Sequence, residues 1–137
     1  MPSRLEHANL TVRDLESTLR FLRTAAPDWR IRHRAENDRK WVHFGDDHTY
    51  LALEEARAEG ELQSGEYLRP DINHLGLVVD DLEATATRLL EAGYREGIQT
   101  TDHPHRRRKY FYDDDGFEWE VLEYLSEDPA SFNDYSE

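Results

Sequence analysis

Sliding the chain by 67 residues lays Leu5–Leu22 over Ile72–Leu89 with eight of the eighteen positions identical. The matches are His7/His74, Leu10/Leu77, Val12/Val79, Asp14/Asp81, Leu15/Leu82, Glu16/Glu83, Thr18/Thr85 and Leu22/Leu89. Such a repeat constrains the fold strongly, because each copy is one supersecondary unit and both must be built alike. Each copy opens on an alternating stretch that reads as a strand: Leu5-x-His7 with Leu10-x-Val12, and Ile72-x-His74 with Leu77-x-Val79. An Asp then stands where a helix N-cap belongs, and an amphipathic run follows (Leu15, Leu19, Leu22; Leu82, Ala86, Leu89, Leu90). The first helix has to stop before Pro27, and Gly93 supplies a C-terminal stop for the second.

Three short strands are expected after each helix. In the first copy they are Trp29–Arg34, Lys40–Gly45 and Thr49–Glu54; in the second, Tyr94–Gln99, Arg107–Asp113 and Phe117–Tyr124. Turn residues mark the joints at Glu36–Asp38, Gly45–Asp47 and Asp113–Gly116. The chain therefore reads as α+β, with a βαβββ module over about 4–55 and another over about 71–125. Residues Glu55–Asp71 form a linker between them, and 126–137 form a polar tail.

Composition narrows the partners. Thirty Asp and Glu against seventeen Lys and Arg give a formal net charge of −13. That surface repels phosphate backbones and anionic lipid, which speaks against nucleic acid and membrane partners. The absence of cysteine excludes disulfides, thiolate metal sites and a cysteine nucleophile. No apolar run approaches the ~20 residues of a membrane span, and MPSRLEH lacks a signal-peptide core. A cytoplasmic, acidic globular domain is the expectation. No Gly-rich phosphate loop, Ser-His-Asp spacing or dinucleotide fingerprint is present.

The doubled βαβββ unit, the early His of each copy and the segment Phe111-x-Asp113-Asp-Asp115-Gly116-x-x-x-Glu120 resemble the vicinal oxygen chelate superfamily. This group includes glyoxalase I, extradiol dioxygenases, fosfomycin-resistance thiol transferases, methylmalonyl-CoA epimerases and bleomycin-binding proteins. The resemblance runs over about residues 4–125, with Asp114 in place of the Pro usual in the family's D-P-D-G turn. It implies an open, cup-shaped mixed sheet with the helices outside, a small-molecule substrate and a homodimer. The cup is then closed within one chain or shared between subunits.

Strand parity supports the placement of a site. His7 shares a face with Leu5 and Asn9, and His74 with Ile72 and Gly76, while the more apolar alternate residues pack under the helices. In the last strand Phe117, Trp119 and Val121 form the apolar set, which turns Glu118, Glu120 and Leu122 the other way. With the resemblance, His7, His74 and Glu120 make a 2-His-1-carboxylate set for a divalent metal ion: Fe, Mn, Zn or Ni. Such an ion acts as a Lewis acid on neighbouring substrate oxygens. In the first half the position matching Glu120 is Ala52, which cannot bind metal, so the pattern departs from the two-carboxylate glyoxalase I set. Glu54, one pleat further on, replaces it only if the register slips. Asn9 stands where fosfomycin transferases carry Thr, and the further His and Tyr residues of the longer dioxygenases have no counterpart here.

Among the other residues, Tyr110 and Tyr112 share the inward parity of Arg108, which makes a Tyr hydroxyl, Tyr110 first, the candidate donor to a substrate oxygen, with Tyr50 as the symmetric candidate. His43 is expected opposite Phe111 as a packed residue, and His48 as a solvated turn residue. His103 and His105 precede the basic run Arg106–Lys109, which reads as a solvated loop or as a lid attracting an anionic substrate group. Glu118 and Glu123 read as exposed strand carboxylates, and Trp29, Trp41 and Trp119 as core aromatics. Two functions follow from the resemblance. The first is a metal-dependent enzyme of lyase, isomerase, thiol transferase or dioxygenase type acting on an oxygen-rich molecule. The second is a metal-free protein of bleomycin-resistance type that sequesters a compound, with acidic walls suited to a cationic one.

Overall fold

The computed structural model describes residues 2–60, 70 and 72–136. The chain divides into two compact units, Met1–Glu61 and Leu62–Glu137. Both are α+β, each with a four-stranded mixed sheet.

In the first unit β1 (His7–Val12) leads into α1 (Leu15–Ala25), followed by β2 (Arg30–Glu36), β3 (Lys40–Gly45) and β4 (Tyr50–Glu55). The sheet order is β1-β4-β3-β2, with β1 parallel to β4 and the remaining pairs antiparallel. Asp14 caps α1, its carboxylate accepting from the N–H groups of Glu16 (3.0 Å) and Ser17 (3.2 Å). The amphipathic run then buries Leu15, Leu19, Phe21, Leu22 and Ala25, within a core that also holds Val12, Val42, Phe44, Leu51 and Leu53. Each large apolar side chain so buried contributes about 1.5–3 kcal/mol.

The second unit repeats the plan with β5 (His74–Val78), α2 (Leu82–Glu91), β6 (Arg95–Glu96), β7 (Arg106–Tyr112) and β8 (Glu118–Tyr124), in sheet order β5-β8-β7-β6. Asp81 caps α2 by accepting from the Ala84 N–H (3.0 Å). Gly93 follows the helix at φ 92°, a left-handed conformation that favours glycine. Trp119, Phe111, Val121, Leu82 and Leu89 form the core.

A second carboxylate closes each helix start. Glu55 Oε2, at the end of β4, accepts from the Leu15 N–H at 3.0 Å, and Glu123 Oε2, near the end of β8, accepts from the Leu82 N–H at 3.0 Å. A charge that satisfies an orphan donor and faces the positive end of the helix dipole is doubly placed. Glu123 also pairs with Arg107 at 3.4 Å. It is thus an anchor of α2, where sequence had suggested a solvated carboxylate.

One other expectation changes, and the tail takes a definite place. The strand expected over 94–99 shrinks to Arg95–Glu96. Gly97 N–H donates once more to Tyr110 O at 2.7 Å, and then Ile98 lies 61% exposed with no burial to hold a longer edge. The tail is docked: α3 (Pro129–Phe132) places Phe132 against Tyr124 with ring centroids 4.3 Å apart. Of the expected linker, residues 61–69 and 71 lie outside the described residues.

Candidate functional site

In the second unit, the register of β5 on β8 sets His74 opposite Glu118 and Gly76 opposite Glu120. His74, Glu118 and Glu120 therefore share one face, as parity requires. His74 Nε2 lies 3.3 Å from Glu120 Oε2, and His74 Nδ1 lies 3.7 Å from Glu118 Oε1. On the neighbouring strand Tyr110 pairs with Glu120 and Tyr112 with Glu118. The Tyr110 ring stands edge-on to His74 with centroids 5.5 Å apart. Burial, and after it the Glu120 charge, pushes the Tyr110 hydroxyl above its ordinary range, so it remains a proton donor at neutral pH.

The turn between β7 and β8 fixes this register. Asp113, only 8% exposed, accepts from the N–H groups of Asp115 (2.9 Å) and Phe117 (3.0 Å) through one oxygen, and from Trp119 Nε1 (3.0 Å) through the other. Gly116 takes φ 82° within the turn. Burial outweighs the three hydrogen bonds and raises the Asp113 carboxyl. The residues that looked like a family signature thus hold the two strands bearing Tyr110, Tyr112, Glu118 and Glu120 in alignment.

In the first unit the matching pairs are His7 with Tyr50 and Asn9 with Ala52 on β1–β4, and His43 with Ala52 on β3–β4. Tyr50 is therefore the counterpart of Glu118, Ala52 of Glu120, and His43 of Tyr110. The register does not slip, and Glu54 stays one pleat beyond, paired with Arg39 at 3.4 Å. Ala52 is 6% exposed. His43 corrects its expectation: its neighbour Phe44, not His43, matches Phe111 as a core residue, since Phe44 pairs with Leu51 as Phe111 pairs with Trp119.

His43 consequently joins a run of rings on the His7 face. His7 stacks on Tyr50 (4.9 Å), Tyr50 meets His43 (4.6 Å), His43 meets Trp41 (4.9 Å) and Trp41 meets His33 (5.1 Å). Trp41 belongs to this face too, and of the three Trp residues Trp119 alone is fully buried, with Trp29 partly buried against Phe44. Arg32 lies over the Tyr50 ring at 4.3 Å. Burial, then the Arg32 charge, lowers the His43 imidazole and favours its neutral form. His7 Nδ1 pairs with Glu6 at 3.0 Å, a contact that lowers the Glu6 carboxyl. His43 was missed in the sequence through a one-residue error in aligning β3 on β7.

The fold thus brings His74, Glu120 and Tyr110 together in the second unit and sets His7 beside the Tyr50 ring in the first. Among the described residues no three His, Asp or Glu side chains are gathered in a metal-holding arrangement. The loop ahead of the basic run is engaged by the tail: His105 Nε2 meets Asp134 Oδ2 at 3.5 Å, and Arg106 Nη1 donates to Asp134 O at 2.9 Å.

Residues 4–121 match the family model described as the Glyoxalase/Bleomycin resistance protein/Dioxygenase superfamily. The chain belongs to this superfamily. Among solved structures, a glyoxylase/bleomycin resistance protein/dioxygenase domain from Frankia sp. EAN1pec is 26% identical, covering 90% of this chain and 99% of that one with a TM-score of 0.73. The fosfomycin resistance protein FosX from Mesorhizobium loti is also 26% identical, over 88% and 91% of the two chains with a TM-score of 0.62. A mutant FosX from Listeria monocytogenes, complexed with Mn(II) and 1S,2S-dihydroxypropylphosphonic acid, is 19% identical over 98% and 100% of the chains with a TM-score of 0.70, a likeness of fold. Among curated proteins the chain has no match. No helix among the described residues is long and apolar enough to cross a membrane.

His74 and Glu120 are a pair of donors, not a full ligand set, whose chemistry and spacing suit a divalent ion. Two donor atoms held about 2.1 Å from one ion at a right angle stand about 3.0 Å apart, close to the 3.3 Å between His74 Nε2 and Glu120 Oε2. Imidazole and carboxylate together suit Mn, Fe, Ni or Zn.

Proposed function

We propose that this superfamily member is a divalent-metal-dependent enzyme acting on a small oxygen-rich substrate, with His7, His74 and Glu120 as the metal ligands. The observation that carries the reading is the 3.3 Å approach of His74 to Glu120 on adjacent strands, with His7 at the equivalent repeat position. When bound, the ion would supply Lewis acidity to two neighbouring substrate oxygens. Tyr110, with its hydroxyl kept protonated beside Glu120, donates a hydrogen bond or a proton to a substrate oxygen. On the first unit's own face, His43, Tyr50 and Trp41 offer a neutral ring, a phenol and an indole to a ligand. Fosfomycin-type epoxide opening is the favoured reaction class, because FosX proteins are among the neighbours and one is described with a vicinal-diol phosphonate. A homodimer is the proposed assembly, with twice the 16.2 kDa chain mass in light scattering.

A metal-free binding protein is the second reading, and the buried Ala52 opposite His43 favours it, because it removes the symmetric carboxylate. One experiment separates the two. Protein purified without chelator or affinity tag is assayed for bound transition metal and titrated with Mn(II), alone and then with 1S,2S-dihydroxypropylphosphonic acid. The enzyme reading expects Mn(II) binding that His74→Ala and Glu120→Gln abolish, and diol phosphonate binding that depends on Mn(II). Absence of metal in the purified protein, together with Mn(II) binding indifferent to both substitutions, sinks it.

A further inference from the structure

Glu118 is a strand carboxylate only 4% exposed. A buried carboxylate is expensive unless charged or hydrogen-bonding partners surround it, so its neighbours bear on its role. The Tyr112 hydroxyl donates to Glu118 Oε2 at 3.3 Å, and His74 Nδ1 lies 3.7 Å from Glu118 Oε1. Tyr112 is itself held by the Arg95 guanidinium, 4.4 Å above its ring. The opposite nitrogen of the same imidazole faces Glu120. The His74 ring therefore lies between two carboxylates, one more buried and backed by Tyr112, the other half-buried beside Tyr110.

We infer that Glu118 is a positioning residue for His74, holding the proton on Nδ1 and leaving Nε2 as the donor atom for a divalent metal ion. The inference rests on His74 being a ligand, as proposed above. A neutral imidazole offers only one lone pair, so the partner of one nitrogen decides which atom can bind a metal. Glu120 lies nearer, 3.3 Å from Nε2, so it is when a metal ion takes Nε2 that the remaining N–H stands at Nδ1, where the Glu118 carboxylate attracts it at 3.7 Å, a charge–dipole contact longer than a direct hydrogen bond. Tyr112 and Arg95 restrain the carboxylate that does so. The first unit lacks this device: Tyr50 occupies the position of Glu118 and stacks on His7. The two His residues of the repeat are thus oriented differently, one by a buried charge and the other by a ring.

The wild-type protein gives the first test. With diamagnetic Zn(II) added, nitrogen-15 NMR should show the His74 proton on Nδ1 and the metal on Nε2; a proton on Nε2 overturns the inference. Calorimetric titration with Mn(II) gives the second, on wild type, Glu118→Gln, Tyr112→Phe and His74→Ala, with thermal unfolding recorded for each. Glu118→Gln should weaken Mn(II) binding about 10- to 100-fold at unchanged stoichiometry, and Tyr112→Phe should weaken it in the same direction by less. Unchanged affinity in Glu118→Gln overturns the positioning role. So does a loss as complete as that of His74→Ala, which would make Glu118 a ligand. If His74→Ala binds Mn(II) like wild type, the ligand assignment itself fails and the inference with it.

Discussion

Replacing Asp113 tests whether the β7–β8 turn sets the register on which the site depends. Asp113→Ala removes the acceptor for three donors, Asp115 N–H, Phe117 N–H and Trp119 Nε1–H. The first can turn to water, but Phe117 and Trp119 are buried, at 7% and 0% exposure. Each buried donor left without an acceptor costs about 1–3 kcal/mol. Relief of the buried carboxylate's own desolvation offsets part of this, leaving an expected loss of about 2–4 kcal/mol out of a total on the order of 5–15 kcal/mol. Urea unfolding followed by near-ultraviolet circular dichroism, which reads the aromatic environment, gives the number. Asp113→Asn adds a check on sign. Burial raises the Asp113 carboxyl in the folded chain, so its contribution is full below the unfolded pKa, about 3.9, and declines as pH rises through the folded value. The stability lost in Asp113→Asn should therefore shrink as pH climbs from about 4. A loss under about 1 kcal/mol in the Ala variant, or an Asn deficit that grows with pH over that range, refutes the account of the turn.

Other substitutions separate the chemical groups. Tyr110→Phe should lower turnover about 100-fold or more while Mn(II) affinity in calorimetry stays put; an unchanged rate removes Tyr110 from the chemistry. His43→Ala should raise KM for a phosphonate or related substrate with little change in Mn(II) affinity, because His43 stands at the Tyr110 position opposite Ala52. Glu55→Ala and Glu123→Ala should each cost about 1–2 kcal/mol in urea unfolding through loss of a carboxylate at a helix start; equality with wild type would dismiss both as solvated. Adding Mn(II) at 100 times its Kd should stabilise the protein by about 2.7 kcal/mol, and chelator should return the unfolding midpoint to the metal-free value.

Much of the fold was legible because it depends on periodicities that survive duplication. Asp14 and Asp81, the Leu spacing of α1 and α2, and the alternation that buries Leu77 but exposes His74's face all lie in local sequence. Strand β3 at Lys40–Gly45 was marked by turn residues on both sides. The weaker points were those set by partners distant in sequence. Glu118 and Glu123 looked alike as acidic residues on one strand, yet alternation sends them to opposite faces. There one meets Tyr112 and His74, and the other meets the first N–H of α2. Alternation in β8 separates the two faces but not the distant partners that bury one carboxylate and make the other a helix anchor. His43 failed for a narrower reason, since matching β3 to β7 without the β4 and β8 register moves every side chain to the wrong face.

Comparing the two copies position by position shows what duplication has kept. The helix caps, the anchoring Glu55 and Glu123, and the core pair Phe44 and Phe111 are chemically conserved between units, because each unit must bury one helix against one sheet. The opposite face has diverged. Where the second unit carries Glu118, Glu120 and Tyr110, the first carries Tyr50, Ala52 and His43. Each first-unit residue lacks the carboxylate or hydroxyl donor of its counterpart or presents a ring instead, and Arg32 covers Tyr50 with a cation. Carboxylates suit a unit that holds a cation, whereas a face of rings and Arg suits a ligand with a planar or anionic part. The site-side face of the second copy is thus lined by carboxylates and that of the first by rings, with the matched His residues common to both.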